Sequence, residues 1–190
     1  MTMVKSFEQI LAAAPRGCRV AVAGADDPAV LHALSLAARQ GIVTGGVLCM
    51  SRLSGAEAAV SVARADLDGP GFTVEAGKGD ASACQMAVAA VRCGDADILM
   101  KGFVQTADFI RAVLNKETGL GKGEILCQTG IYEAPFMDRL LLVADVGIVI
   151  SPTLQQLAGI AAGAVQVATA LGIARPKVAM LSSVENVNTA

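Results

Sequence analysis

Tryptophan is absent from the 190 residues, aromatic side chains make up 3%, and the one histidine is His32. So few rings give no platform for stacking bases, and a net charge of −2 leaves no basic excess to follow a polyanion. Nucleic acid is therefore not an expected partner. His32 falls within an amphipathic stretch and reads as a surface residue without a catalytic part. Cys18, Cys49, Cys84, Cys93 and Cys127 form no CxxC pair, and one histidine cannot complete a metal cluster with them. They read as buried, reduced thiols, and no metal is expected. Neither a GxGxxG fingerprint nor a Walker lysine loop occurs. Lys5, Glu8 and Arg16 interrupt any apolar stretch at the N-terminus, so no secretory signal is read and the cytoplasm is the expected compartment. The long uncharged run, Leu157–Ala174, carries Gly159 and Gly163 at GxxxG spacing, but its alanines and glycines are weakly apolar and Gln166 and Thr169 lie inside it. It reads as a buried helix, and no membrane partner is expected.

What the chain has in quantity is small and aliphatic: hydrophobic residues make up 54%, with a mean hydropathy of +0.56. That is enough for one good core or two small ones, filled by Ala, Val, Leu and Ile as in α/β layers. Strand-like and helix-like stretches alternate. Ser6–Ala14 is a short amphipathic helix and Arg19–Ala23 a strand; the Gly24–Pro28 loop then leads into a helix with Asp27 at N-cap and Pro28 at N1. Gly46–Met50 is a strand, Ser54–Ala65 a helix, Leu67–Gly71 a polar connection and Phe72–Ala76 a strand. The Gly77-Lys78-Gly79-Asp80 turn opens the helix Ala81–Cys93, which Gly94 closes. Backbone N–H groups of that turn can cradle a phosphate, which makes Lys78 and Gly79, with Gly24 of the first loop, weaker site candidates. After Leu120 the pattern changes. Glu124–Tyr132 and Arg139–Val143 read as a hairpin-like strand pair, Val146–Ile150 is another apolar run, Pro152 and Thr153 open the long helix, and Lys177–Leu181 has a strand pattern.

The stretch that organises the rest is Asp95–Leu120. Ile98-Leu99-Met100 is an apolar run suited to a buried parallel strand, and Lys101-Gly102 ends it with a charge and a flexible unit. Thr106 stands where an N-cap belongs, Asp108 lies in the first turn, and Phe109, Ile110, Val113 and Leu114 give helical spacing to about Asn115. A helix starting beyond a strand's carboxyl end aims free N–H groups into the crevice where open α/β sheets bind ligands. Lys101 adds charge there, Gln105 and Thr106 add neutral donors, and Arg111 adds a fork for an oxyanion. The same residues also suit a plain strand end, a cap and a solvated arginine.

Met100–Leu120, MKGFVQTADFIRAVLNKETGL, resembles the signature of phosphate butyryltransferases within the phosphate acetyl/butyryl transferase family. Weaker similarity continues through Phe136–Ala144, Ala170–Ile173, Pro176–Ala179 and Val184–Asn188. The resemblance implies interconversion of acyl-CoA and phosphate with acyl phosphate and free CoA, in a cleft between two α/β domains. Coenzyme A is then a substrate, with no covalently bound cofactor, and a homo-oligomer is expected. The fold expected is three-layer α/β/α with a mostly parallel sheet: a first domain over 1–122 carrying the phosphate/CoA-side loop and an incomplete second domain over 123–190. Carried over by position, Lys101, Gly102, Gln105, Thr106 and Arg111 match the family's phosphate side. The family's serine-arginine pair and aspartate base lie near the end of longer chains and have no counterpart here, which leaves the catalytic residues unassigned. Gln128 stands where such members tend to have histidine, and Val149 where they have asparagine. Asp145 is retained and reads equally as a site group or a turn residue. A shortened acyl-CoA or phosphate-binding relative, or an oligomerisation module, is the alternative.

Overall fold

The computed structural model describes residues 4–69 and 71–181, which fall into two compact units. One is Ala14–Lys122; the other joins the residues up to Ala13 with those from Gly123 onward. The expected resemblance over Val184–Asn188 lies outside the described residues.

In the Ala14–Lys122 unit, β1 (Cys18–Ala23), β2 (Val43–Met50), β3 (Phe72–Ala76) and β4 (Ile98–Lys101) form a parallel sheet in the order β3-β2-β1-β4. Helices cover both faces, and the period-2 alternation of strand side chains divides the core accordingly. Ala21, Ala23, Val47 and Cys49 face Ala83, Cys84, Ala87 and Val88 of α4 (Asp80–Cys93) and Ala112 of α5 (Thr106–Val113). On the opposite face, Val20, Val22, Leu48 and Met50 meet Leu31 and Leu34 of α2 (Pro28–Arg39) and Ala58 and Val62 of α3 (Gly55–Arg64). This is the mixed α/β sandwich that the alternation predicts. The caps act as the sequence suggests: Asp27 accepts from Ala29 N–H at the start of α2, and Gly94, at φ 80°, ends α4 in the left-handed conformation that costs glycine least.

Several expectations are corrected. Ile98–Met100 is an edge strand, paired with β1 alone, and Ile98 is 44% exposed. Gln105 rather than Thr106 is the N-cap of α5, and that helix ends at Val113. Leu67, within the connection read as polar, is buried, and Cys93 is exposed, while Cys49 and Cys84 are buried as read.

In the second unit, β5 (Thr129–Glu133) and β6 (Leu140–Ala144) pair antiparallel, the first starting later than the Glu124–Tyr132 reading and the second displaced by one residue from Arg139–Val143. Helix α6 (Leu154–Ala170) packs against them, opened by a capping box in which Thr153 and Gln156 exchange side-chain and backbone hydrogen bonds. Its small residues lie close to the chain before β5: a Cβ on Gly159 would stand 2.7 Å from Ile125 Cγ2, and one on Gly163 3.1 Å from Cys127 Sγ. Lys177–Leu181 forms no strand. Helix α1 (Phe7–Ala13), expected with the first domain, belongs to this unit: Phe7 N–H donates to Glu133 at 2.8 Å and Lys5 pairs with Asp138 at 2.7 Å. No helix among the described residues is long and apolar enough to cross a membrane.

Candidate functional site

The strand order makes β1 the point of reversal, since β2 and β3 lie on one side of it and β4 on the other. Ligands of open α/β sheets bind outside the carboxyl ends of strands at such a point. Here the segments after β1 and β4 are zipped together: Gly102 N–H donates to Ala23 O at 2.9 Å and Phe103 N–H to Gly24 O at 2.8 Å. Only glycine fits so close a crossing. A Cβ on Gly102 would stand 2.3 Å from Gly24 O, and one on Gly24 2.5 Å from Val104 Cγ1. Gly24 and Gly102, both candidates, are thus a mutual contact that fixes where Lys101 leaves the sheet.

Lys101, Gln105 and Thr106 are exposed along this edge. Asp108 and Phe109 N–H groups turn back to Gln105 O, whereas those of Thr106 and Ala107 meet no acceptor among the described residues. Arg111 lies one turn along α5 and is ion-paired with Asp108. Gly79, at φ 96°, is the N-cap of α4, and Lys78 before it is exposed. Asp145 belongs to the other unit. Its carboxylate accepts from Gln128 N–H at 2.7 Å, Ile148 N–H at 2.9 Å and also Val149 N–H. Burial opposes its ionisation, but these N–H groups and that of Gly147 outweigh it and hold the carboxyl below the usual range. Gln128 and Val149, the two positions expected to depart from the family's pattern, thus both reach Asp145 through their backbone.

Three residues that the sequence reading passed over hold the edge together. Asp26, after β1, accepts from the N–H groups of Ser51, Arg52 and Leu53 at 2.7–2.8 Å and from the Ser51 hydroxyl at 2.8 Å. Burial works against its charge, yet these four donors keep its carboxyl below the ordinary value. Arg52, so anchored, lays its guanidinium 4.8 Å from the Phe103 ring centroid and 3.4 Å from Asp80. Asp80 receives Gln105 N–H at 2.9 Å with its other oxygen. The only sequence signal was an Asp opening α4 beside a glycine turn; its partners lie 25 or more residues away and leave no spacing to read.

Two of the thiols, Cys49 and Cys84, are buried within the sheet and α4 layer. Burial pushes Cys49 up to about 12 and Cys84 up to about 11, with the Glu75 and Asp108 charges adding to it respectively. Among the described residues no group of three or more His, Cys, Asp or Glu side chains could hold a metal ion.

Residues 67–190 match the family model described as phosphate acetyl/butaryl transferase. The chain is 36% identical to the phosphate butyryltransferase of Clostridium acetobutylicum over 98% of its own length and 61% of that protein's. Its identity to the Thermotoga maritima phosphate acetyltransferase is 38%, over 55% of this chain and 35% of that one. A crystal structure of a branched-chain phosphotransacylase from Enterococcus faecalis superimposes with a TM-score of 0.69 at 27% identity, covering 90% of this chain and 58% of that one. The chain therefore spans about 61% of the length of the butyryltransferase it matches and belongs to the phosphate acetyl/butaryl transferase family.

Proposed function

We propose that this chain provides the phosphate-binding side of an acyl-transfer site that exchanges phosphate and coenzyme A on a short acyl group. Three things support the reading: the family match, the zipped loops at the point of strand reversal, and the exposed row of Lys101, Gln105 and Thr106 beside two open N–H groups. Acyl-CoA and phosphate would yield acyl phosphate and the CoA thiol. The phosphate oxygen forms a bond to the acyl carbon, the C–S bond breaks, and the departing thiolate takes a proton.

Such a reaction needs the phosphate held in line with the carbonyl, and charge placed where the anion sits. Lys101 and the α5 N–H groups would do this, with Gln105 and Thr106 orienting the phosphate oxygens. Arg111 would join them only on release from Asp108. An acyl intermediate on Cys49 or Cys84 is disfavoured, because both thiols remain protonated at neutral pH. Neither Asp108 nor Asp145 is free to act as a base: the first faces Arg111 and the second four backbone N–H groups.

The site is tested by titrating inorganic phosphate and CoA into the chain in a calorimeter, beside Lys101→Met. One lost charge-assisted contact should weaken phosphate binding about tenfold. Equal affinities for the two proteins would remove Lys101 from the site.

A further inference from the structure

Helix α5 lacks the side-chain cap that its own sequence ought to supply. Gln105, its N-cap, makes no such bond, and no carboxylate of α5 reaches back to the Gln105 N–H. In a capping box that N–H is satisfied by an acidic or amide side chain three residues on. Here the acceptor comes from another helix, since Asp80 in the first turn of α4 takes it at 2.9 Å. The Asp80 side chain is only 15% exposed, and its second oxygen lies 3.4 Å from Arg52. Arg52 is fixed in turn, its backbone N–H by Asp26 and its guanidinium over Phe103.

We infer that Asp80 is a positioning residue for the anion site, setting where α5 begins and which of its N–H groups face the ligand. The inference rests on the reading of Lys101 and α5 as a phosphate site. By taking the Gln105 N–H and no other on α5, Asp80 ties down the loop from Gly102 to Gln105 and leaves Thr106 and Ala107 N–H open. The chain of contacts Asp26, Arg52, Asp80, Gln105 links the segments after β1, β2, β3 and β4 at one edge of the sheet. Arg52 offsets the Asp80 charge, which would otherwise stand against an incoming phosphate.

Position and charge make opposite forecasts, so the test uses three variants. Asp80→Asn keeps an oxygen at the same reach without the charge; Asp80→Glu keeps the charge but moves it by about 1.5 Å, one carbon–carbon bond; Asp80→Ala removes both. Phosphate affinity of each is measured by calorimetry, with the competent fraction taken from the stoichiometry, alongside Lys101→Met. Positioning predicts that Asn stays within about threefold of the parent while Glu and Ala lose about tenfold. Tighter binding by both Asn and Ala would make Asp80 a built-in competitor for the anion and overturn the inference. Equal affinity of all three, at whatever stability, would reduce it to a fold contact and overturn it as well. Should Ala not fold, Asn and Glu decide against the parent: positioning leaves Asn near the parent and Glu about tenfold weaker, whereas competition makes Asn bind tighter than the parent and leaves Glu near it. If Lys101→Met weakens binding while the Asp80 series is flat, only this inference falls. If the parent binds no phosphate, the reading of the site falls and this inference with it.

Discussion

The two compact units hold comparable shares of apolar sequence and use them differently. In Ala14–Lys122 the central strands are closed on both faces, and Val20–Ala23 and Leu48–Met50 are almost wholly buried. In the other unit the buried apolar side chains among the described residues are Leu140, Ile160 and Ala168, while Ile150 stands 97% and Leu154 84% exposed. Both units follow a strand with an aspartate whose carboxylate gathers backbone N–H groups, Asp26 after β1 and Asp145 after β6. An aspartate of this kind fixes a turn equally well in either setting. Hydrophobic content alone does not produce a core; a second layer must cover it.

The largest effect should come from closing the tightest approach in the well-covered unit. Gly102→Ala drives a Cβ into Gly24 O at 2.3 Å, backbone against backbone. Neither strand can yield without losing its ladder, so a cost of about 4 kcal/mol or more is expected in chemical denaturation. Next comes Asp26→Asn, which turns an amide N–H₂ toward donors that a carboxylate had satisfied and should cost about 3 kcal/mol. Its pH dependence has a definite sign. The Asp26 carboxyl is lowered in the folded chain, so its contribution is complete above the unfolded value of about 3.9 and fades as pH falls through the folded value. The gap in stability between parent and Asp26→Asn should therefore be constant near neutrality and narrow below about pH 4. A gap that persists unchanged at pH 2 would assign the loss to shape rather than charge.

Local rules made the well-covered unit legible. Asp27-Pro28 starts α2, Gly94 stops α4, and Phe72–Ala76 is strand from end to end, since each of these is decided by neighbours in sequence. The strand–turn–helix unit that carries Lys101, Gly102, Gln105 and Thr106 was legible for the same reason, although its cap falls on Gln105 rather than Thr106. Burial was not. Ile98–Met100 has the composition of a central strand but lies at the sheet edge, and strand order is a property of the whole chain. Lys177–Leu181 has the apolar run of a strand and forms no ladder, because pairing needs a partner that the run itself cannot supply. The Arg52, Asp80 and Gln105 contacts were hidden likewise: each residue suited its own turn, and nothing local tied one turn to another. The motif was read, but its supports were not.

The smallest expected effect lies in the less covered unit and tests the comparison at its weakest point. Ile150 and Leu154 flank the capping box of α6, with Thr153 and Gln156 holding the helix start through their own polar groups. At 97% and 84% exposure, the two side chains remove little apolar surface from water within this chain. Ile150→Ser and Leu154→Ser should therefore change stability by no more than about 0.5 kcal/mol each, as surface substitutions do. Were either side chain covered in solution, by a second copy or by anything else, its full burial would be worth about 1.5–3 kcal/mol. A loss of that size, depending on protein concentration, would identify a second copy as the cover. Denaturation of the parent and both variants at two concentrations tenfold apart separates these cases: small and concentration-independent differences keep the contrast between the units as described, whereas large ones dissolve it.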